Sequence, residues 1–532
     1  PNLGKYFNLP NPGLRAYFQH VTAGQPEDYR PPFWKGKSRE EVVSKWNEVV
    51  ESSDLNSQIP GLLEFELELR DKVGPLSVQL PLKDRIPSIE QYYELIKLNS
   101  VPIDPRAIEA AWKSMSRAGG IRLRSQQEVV KNMRLSTNSG TPYFTKRRNV
   151  LGKTLPVSYP DLSLNYAETG LIINGYHQAA VLGWRGQEGG PEKDDVKQRV
   201  VWMMPFGVNV LEHQFYQPAI EAWQKNKINS AYISMRAVEE KITRLFDTKG
   251  DEYVVVTDFS KFDQHFNGHL QSAAQDLISR MISGYGDNVH WSEAIFPIKY
   301  QIDLICSEDL VYSGLHGMGS GSSGTNFDEC CAHTAMQHEC AILNGQSLNP
   351  YSNAYGDDGY LSFKGIDVDK VISAYSSHGQ EMNPDKQSVD KHSAVYLRRY
   401  FHDSYRDNSG CMLGVYSTFR ALGRLLGQER YYDPDKWNNK MVILRALSII
   451  ENCANHPLFT KFVDFVLEGD RYRLGLAIPG FLDSLDAEVK KATEELPDFM
   501  GYTKTLQNRL DKSISGVGIN NWKVVQYLKS KR

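Results

Sequence analysis

Gly356-Asp357-Asp358-Gly359 sets two carboxylates side by side. Asn353-Ala354-Tyr355 before it and Tyr360-Leu361-Ser362-Phe363 after it predict a hairpin closed by a tight turn. Both glycines are expected to supply the positive φ that other residues resist. Adjacent carboxylates repel each other and call for a cation, and as hard oxygen donors they suit Mg²⁺. An acidic surface turn would have the same composition, so chemistry here requires a second carboxylate strand. Residues 251–263 offer one. Val254-Val255-Val256-Thr257 is a continuous β-branched run, the mark of a buried central strand, and it ends in Asp258 with Asp263 five residues on. An acid at the end of a buried strand is costly unless it is paired or binds metal. A helix N-cap explains Asp258 equally well.

Other stretches provide cations and close-approach loops. Lys197 and Arg199, two apart on a β-like stretch after a Gly-rich loop, share one face and could meet a triphosphate. An exposed edge strand would also carry such cations, and taken alone the stretch is better read that way. Thr137, Ser139 and Gly140 belong to a polar turn followed by Lys146-Arg147-Arg148, a combination able to hold a phosphate backbone. Taken alone, it is better read as an ordinary loop with a solvated charge run. Residues 314–326 form a flexible Gly/Ser loop containing Ser320 and Thr325, and its glycines let backbone approach a ligand. A helix-like run follows from Phe327, holding Cys330, Cys331, His333, His338 and Cys340. Their spacing matches no usual zinc finger, so they are read as packing residues. Lys386 lies in a Pro-Asp-Lys turn, and Arg398 and Arg399 sit at the centre of a short hairpin.

The elements that must position these residues are mixed. At 532 residues the chain should form two or more lobes. Helical stripes appear over 39–50, 105–115, 368–375 and 437–450. A net charge of −3 rules out a polycation, so any nucleic acid must be held by local basic patches inside a channel. Six cysteines without a C-x-x-C pair suggest reduced thiols and an intracellular setting. No apolar run approaches the ~20 residues of a membrane span, and the N-terminus has no signal-like stretch.

The order of the pieces says more than any one of them. A basic strand, a strand ending in Asp-x4-Asp, a Ser-Gly loop opening a helix, an Asp-Asp hairpin, a Pro-Asp-Lys turn and an arginine hairpin follow one another. From about Thr137 to His402 the chain resembles the viral RNA-dependent RNA polymerases. In wording and length it is most like those of picobirnaviruses, which are segmented double-stranded RNA viruses. The resemblance implies an α+β right hand of fingers, palm and thumb, with an antiparallel palm sheet flanked by helices. It divides the chain into an N-terminal segment bridging fingers and thumb (1–115), fingers (116–245 and 270–312), palm (246–269 and 313–405) and thumb with a basic tail (406–532). It also implies template-directed RNA synthesis from NTPs by two-metal nucleotidyl transfer, with a primer-independent start as one possibility. Two Mg²⁺ ions, with Mn²⁺ as a substitute, would be held by Asp258, Asp357 and, secondarily, Asp358.

Further roles come with the resemblance. Lys197 and Arg199 would neutralise the triphosphate, and Lys386 would protonate the pyrophosphate. Asp263, Ser320 and Thr325 would bind the NTP ribose. Thr137, Ser139, Gly140, Arg398 and Arg399 would contact template and primer. The implied partners are template and nascent RNA, NTPs and a capsid protein, with no membrane, in the virion interior and the host cytoplasm. One position departs from the family, because Glu329 stands where Asn is usual.

Two rival readings remain at this level. A reverse transcriptase would carry an aromatic-x-Asp-Asp core and a bulky residue in place of Asp263, and Gly356 and the polar Asp263 argue against it. A catalytically silent capsid-associated RNA-binding protein would not need Asp258, Asp357, Lys386 and Arg199 together. The tail from 503 carries seven Lys/Arg against one acid. It is expected to dock in the cavity, with Trp522 and Tyr527 able to stack on a base.

Overall fold

The computed structural model describes residues 2–284, 288–496 and 518–532. Its centre is a four-stranded antiparallel sheet in the order Ser388–Asp390, Val254–Thr257, Asp358–Leu361, Asn353–Tyr355. The β-branched strand is buried because both of its faces are covered. Val255 and Leu361 join a large core with the helices Gly268–Met281 and Thr325–Ile342. Val254, Val256 and Tyr360 point the other way, into a smaller core against the helix Met235–Thr248. Each buried valine contributes about 1.5–3 kcal/mol over an exposed one, so the register Val255↔Leu361 is strongly specified.

A second four-stranded sheet lies beside it, ordered Lys197–Met203, Ala179–Gln187, Asp303–Ser307, Leu310–Tyr312. Its middle pairing is parallel and the outer two are antiparallel. A third sheet, Ser393–Tyr396, Arg399–His402 and Val415–Tyr416, leads into the helices Thr418–Leu426, Asn439–Glu451 and Phe459–Gly469. No helix among the described residues is long and apolar enough to cross a membrane.

The first eighty residues touch both ends of the molecule. Tyr6, Phe7, Leu14 and Phe18 pack on Ala179, Val181 and Ile305 of the second sheet. The helix Arg39–Ser52 forms where its stripe predicts, with Ser38 capping the amide of Glu41 at 3.1 Å. Its Val42, Trp46 and Val50 enter the core of the C-terminal helices. A buried polar lock fixes that contact. Glu66 is fully buried and accepts hydrogen bonds from the Ser417 and Thr418 hydroxyls, the Thr418 amide (3.1 Å) and His456 Nε2 (3.1 Å). Trp46 Nε1 donates to Thr418 Oγ1 at 2.8 Å.

The C-terminal expectation is corrected in part. Residues 503–517 lie outside the described residues. Beyond them the helix Lys523–Ser530 docks on the C-terminal core rather than in a cavity: Val524, Val525 and Leu528 are buried, and Glu451 caps the amides of Lys523 and Val524 at 2.9 Å each. Trp522 is buried in the same core, and Tyr527 donates its hydroxyl to Asp464 at 2.8 Å. Neither ring is placed to stack on a base.

Burial raises the Glu66 carboxyl, but His456 and the two hydroxyls outweigh it and hold it below the ordinary 4.5. A lowered carboxyl stabilises fully above its unfolded value, and the gain is lost as pH falls through the folded one. Glu66→Ala, which strands the buried partners, should lower stability by about 3–5 kcal/mol near neutrality. Denaturant titrations should show wild type and variant converging as the pH falls below 4.5.

Candidate active site

The central hairpin is tighter than the sequence suggests. Tyr355 pairs with Asp358, leaving Gly356 and Asp357 as the two-residue turn. Only Gly356 has positive φ (63°). Gly359 lies within the return strand, where a Cβ would come within 2.8 Å of His333 Cε1, so close approach is what requires it. The helix Thr325–Ile342 clamps this turn from behind. His333 Nδ1 lies 2.9 Å from the Gly356 carbonyl, and the Gly356 amide donates to Cys330 Sγ at 3.3 Å. Burial drives His333 down to about 4, so it is neutral and donates through Nδ1. These two side chains, read from sequence only as packing, hold the Gly356–Asp357 turn in place. Buried thiols and a His on one helix carried no signal of that.

Asp258 follows the last paired residue of its strand and opens on the cleft. Gln387, next to Lys386, fixes its backbone from both sides: the Asp258 amide donates to Gln387 Oε1, and Gln387 Nε2 donates to the Asp258 carbonyl, each at 2.8 Å. Asp258 is therefore not a helix cap. Asp357 sits at the tip of the turn, open to the same cleft. Desolvation by the walls and repulsion by Asp263 raise its carboxyl, Arg199 opposes them, and Asp258 adds a smaller push upward. Lys197 and Arg199 lie two apart on the exposed side of their strand. Burial and the nearby Lys72 lower Lys197, while Asp258 pulls it up and Lys386 pushes it down. Asp258 and Asp357 thus lie within electrostatic reach of Lys197 and Arg199 respectively, with Lys386 near Lys197.

Several expected residues take other parts. Asp358 begins the return strand, and its Oδ2 accepts from the Leu397 amide at 2.8 Å. One carboxylate oxygen is spent on the arginine hairpin, and burial pushes this acid up to about 7. That hairpin turns at Leu397 and Arg398, both with positive φ (50° and 66°), a strained choice for residues with side chains. Arg399 does not reach outward: its guanidinium donates to the Leu397 carbonyl at 2.9 Å and lies over the Tyr416 ring. Arg398 is the exposed one.

Ser139 and Gly140 are buried and cannot touch a template from where they sit. Ser139 Oγ accepts from the Thr145 amide (3.2 Å), its carbonyl accepts from Phe206 (2.9 Å), and Gly140 at φ 64° lets the chain pass Met204. The Thr137 hydroxyl has no partner. Of the three cations that follow, Lys146 and Arg148 are exposed. Arg147 is largely buried, donates to the Arg134 carbonyl at 3.0 Å and is brought down to about 10 by burial.

The Ser-Gly loop is clamped, not flexible. A Cβ on Gly321 would meet the Trp202 carbonyl at 1.6 Å, and one on Gly324 would meet the Tyr216 ring at 2.0 Å. Ser320 Oγ donates to the Val200 carbonyl at 2.8 Å, beside Arg199, and Thr325 Oγ1 donates to the Ser322 carbonyl at 3.2 Å. Asp263 lies half-buried next to this loop, with its carbonyl accepting from Met318 at 2.9 Å. Glu329 is buried one helical turn after Thr325, and its Oε2 has no other partner. Burial and contact with Asp263 raise its carboxyl well above the ordinary range, so it carries the proton that two touching acids share.

Comparison with known proteins places this geometry. The profile of the viral RNA-dependent RNA polymerases matches residues 124–412. A curated relative from human picobirnavirus (strain Human/Thailand/Hy005102/-), described as a potential RNA-dependent RNA polymerase, is 53% identical over 540 residues, spanning 100% of this chain and 99% of its own. The chain belongs to the viral RNA-dependent RNA polymerase family. Crystal structures of a human picobirnavirus RNA-dependent RNA polymerase and of its insertion loop deletion mutant superpose with TM-scores of 0.91 and 0.90. Each is 49% identical and covers 100% of this chain and 99% of its own. The architecture is therefore the α+β right hand, with the central sheet as palm, and the chain is an RNA-directed RNA polymerase rather than a reverse transcriptase.

The clamp behind the polymerase turn makes a specific forecast. His333→Phe keeps the ring and loses the bond to Gly356. It should lower kcat on the order of tenfold, the size of one buried hydrogen bond, with little change in KM for NTP. An unchanged kcat would show that the turn holds itself.

Proposed function

We propose that the palm cleft transfers nucleotidyl groups from NTPs to the 3′-OH of a growing RNA on an RNA template, serving replication and transcription of a double-stranded RNA genome. The observation that carries this reading is the convergence of Asp258 and Asp357, from neighbouring elements of one sheet, on a cleft faced by Lys197 and Arg199. Among the described residues no group of three or more His, Cys, Asp or Glu side chains is arranged to hold an ion by itself. The donor set nevertheless fits hard cations, since Asp258 and Asp357 are open to the cleft and Asp357 is crowded by like charge. Two Mg²⁺ ions, or Mn²⁺ in their place, bound by this pair would offset the charge of the attacking and leaving oxygens. Asp358, committed to Leu397, is secondary.

The protein's own groups do the rest. Arg199 and Lys197 hold the triphosphate. The RNA 3′-hydroxyl gives its proton to solvent as its oxygen attacks the α-phosphorus, the bond to the bridging oxygen of the β-phosphate breaks, and Lys386, exposed at the cleft, gives a proton to the departing pyrophosphate. Asp263 accepts from the ribose 2′-OH, with Ser320 and Thr325 beside it, and protonated Glu329 donates to Asp263 where an amide would otherwise serve. Arg398 faces the RNA strands from the exposed hairpin turn, while the Thr137 hydroxyl is buried without a hydrogen-bond partner. In this reading the partners include a capsid protein, and the enzyme works inside the virion and in the host cytoplasm.

Primer extension on a short RNA template, with ribonucleotides against deoxyribonucleotides and with or without primer, tests the function and decides the mode of start. Asp258→Ala and Asp357→Ala should each abolish synthesis while leaving the fold and most RNA binding intact. Synthesis above a trace by either variant refutes the metal assignment. Lys386→Leu should cut kcat by about 10²–10⁴ with a smaller effect on KM. A change confined to KM would make Lys386 a phosphate clamp.

A further inference from the structure

Beneath the Ser-Gly loop lies a set of buried charges that the chemistry above does not use. The fingers helix Phe206–Lys225 contributes Glu212 and, one turn later, Tyr216, both fully buried. Glu212 accepts from the Ser322 hydroxyl and from the Ser323 amide at 3.4 Å. Tyr216 donates to Asp328 at 2.7 Å, and Asp328 also takes the Tyr300 hydroxyl (2.7 Å) and the Lys299 ammonium (3.0 Å). The Lys299 carbonyl accepts from the Gly319 amide at 3.1 Å, so the same group holds the loop at its start. Two acids and one base buried together are expensive, and burial accordingly raises Glu212 to about 7 against the pull of Lys299. Apolar side chains of similar volume would pack there at lower cost, so the charges call for a reason.

Asn209 supplies it. With its amide oriented to satisfy both atoms, it donates to Glu212 Oε1 (3.0 Å) and Ser323 Oγ (3.2 Å) and accepts from Arg147 Nη2 (2.8 Å). Arg147 belongs to the template turn, where its amide donates to the Thr137 carbonyl at 3.0 Å. An unbroken run of hydrogen bonds therefore joins the turn that carries Thr137 to the loop that carries Ser320.

We propose that Asn209 and Glu212 are positioning residues for nucleotide selection, tying the template turn, through Arg147, to the Ser322–Ser323 bend and so holding Ser320 against the strand of Arg199. The link acts by geometry: an apolar contact would let the loop slide, whereas directed hydrogen bonds from two sides admit one placement. The proposal rests on the reading of Ser320 as a nucleotide contact, and the test separates the two.

The experiment measures kcat/KM for a ribonucleotide and its deoxy analogue on a primed template, together with amide hydrogen exchange over residues 317–324, in the full chain. The variants are Ser320→Ala, Glu212→Ala, Glu212→Gln, Asn209→Ala, Arg147→Met and the Arg147→Met/Glu212→Ala double. Glu212→Ala should lower the ribo-to-deoxy ratio on the order of tenfold, as loss of one buried hydrogen bond would, and should speed exchange in the loop. Glu212→Gln, which keeps an oxygen for the Ser323 amide, should restore the ratio to within about threefold. The double variant should cost no more than its worse single, because both act on one run of bonds. A purely structural role would give additive losses and an unchanged ratio, and that result overturns the proposal. So does a ratio that Ser320→Ala lowers but Glu212→Ala and Asn209→Ala leave alone. If Glu212→Ala does not fold, Asn209→Ala with Glu212→Gln carries the same comparison. An unchanged ratio in Ser320→Ala refutes the role of Ser320 by itself, while faster loop exchange in Glu212→Ala and Asn209→Ala would still uphold the anchor.

Discussion

Crowding of like charge at the end of one buried sheet is the constraint that the rest of this polymerase answers to. Asp258, Asp357 and Asp358 stand within one hairpin and its neighbouring strand, and Asp263 and Glu329 close in from the loop side. Two unit charges 4 Å apart interact by about 4 kcal/mol at an effective dielectric of 20, so five ionised carboxylates could not share this volume without compensation. The protein treats each acid differently. Asp358 is turned to a backbone amide and Glu329 keeps a proton against Asp263, while Arg199 opposes the crowding of Asp357 only in part. What remains uncompensated is the pair Asp258 and Asp357, the two that open on the cleft. Selective neutralisation concentrates the demand for a cation where phosphoryl transfer would use it.

That solution works only if the acids cannot relax apart, which explains how stiffly their surroundings are built. Glycines here serve mainly to admit backbone against backbone or ring: Gly321 on the Trp202 carbonyl, Gly324 on Tyr216, Gly359 on His333. Side-chain clamps complete the work, with Cys330 and His333 on the turn and Gln387 on the Asp258 peptide. Nearly every clamp comes from a different element than the acid it holds. The two four-stranded sheets, the helices behind them and the arginine hairpin consequently behave as supports for one another, and the strained turn at Leu397–Arg398 persists because Asp358 and Arg399 fix it from both sides.

This division decides what could be read from the chain. The strand of three valines and the alternation of Lys197 with Arg199 are local patterns, and their consequences, a doubly covered strand and two cations on one exposed side, were legible. Asp258 and Asp357 stood out only through their order along the chain, since a helix cap and an acidic surface turn explained each of them equally well alone. The side-chain direction of single residues was not legible. Ser139 and Gly140 look like contact residues in a polar turn, yet neighbours distant in sequence bury them, Phe206 among them. Arg399 and Arg147 are indistinguishable by type from Arg398 and Arg148, but one of each pair is folded inward on a carbonyl. Trp522 and Tyr527 read as stacking platforms until the helix Lys523–Ser530, which Trp522 precedes and Tyr527 belongs to, is seen to need its own apolar face covered.

Polar locks hold the N-terminal residues for the same physical reason. An interface between the N-terminal segment and the C-terminal helices could have been built from apolar packing alone, and much of it is, around Trp46 and Phe462. Apolar packing tolerates sliding by a side chain's width, and sliding would be felt at the hairpin, because Tyr400 of its second strand donates to the Pro60 carbonyl at 2.6 Å. Glu66, gripping two hydroxyls, an amide and His456 at the start of the helix Thr418–Leu426, admits a single register. Thr418 follows directly on the sheet that includes Arg399–His402. The register set at Glu66 is thereby transmitted along Val415–Tyr416 to the hairpin, and through the Leu397 amide to Asp358 beside the Gly356–Asp357 turn. A directional bond far from the cleft is worth its desolvation cost when the quantity it protects is the placement of a carboxylate.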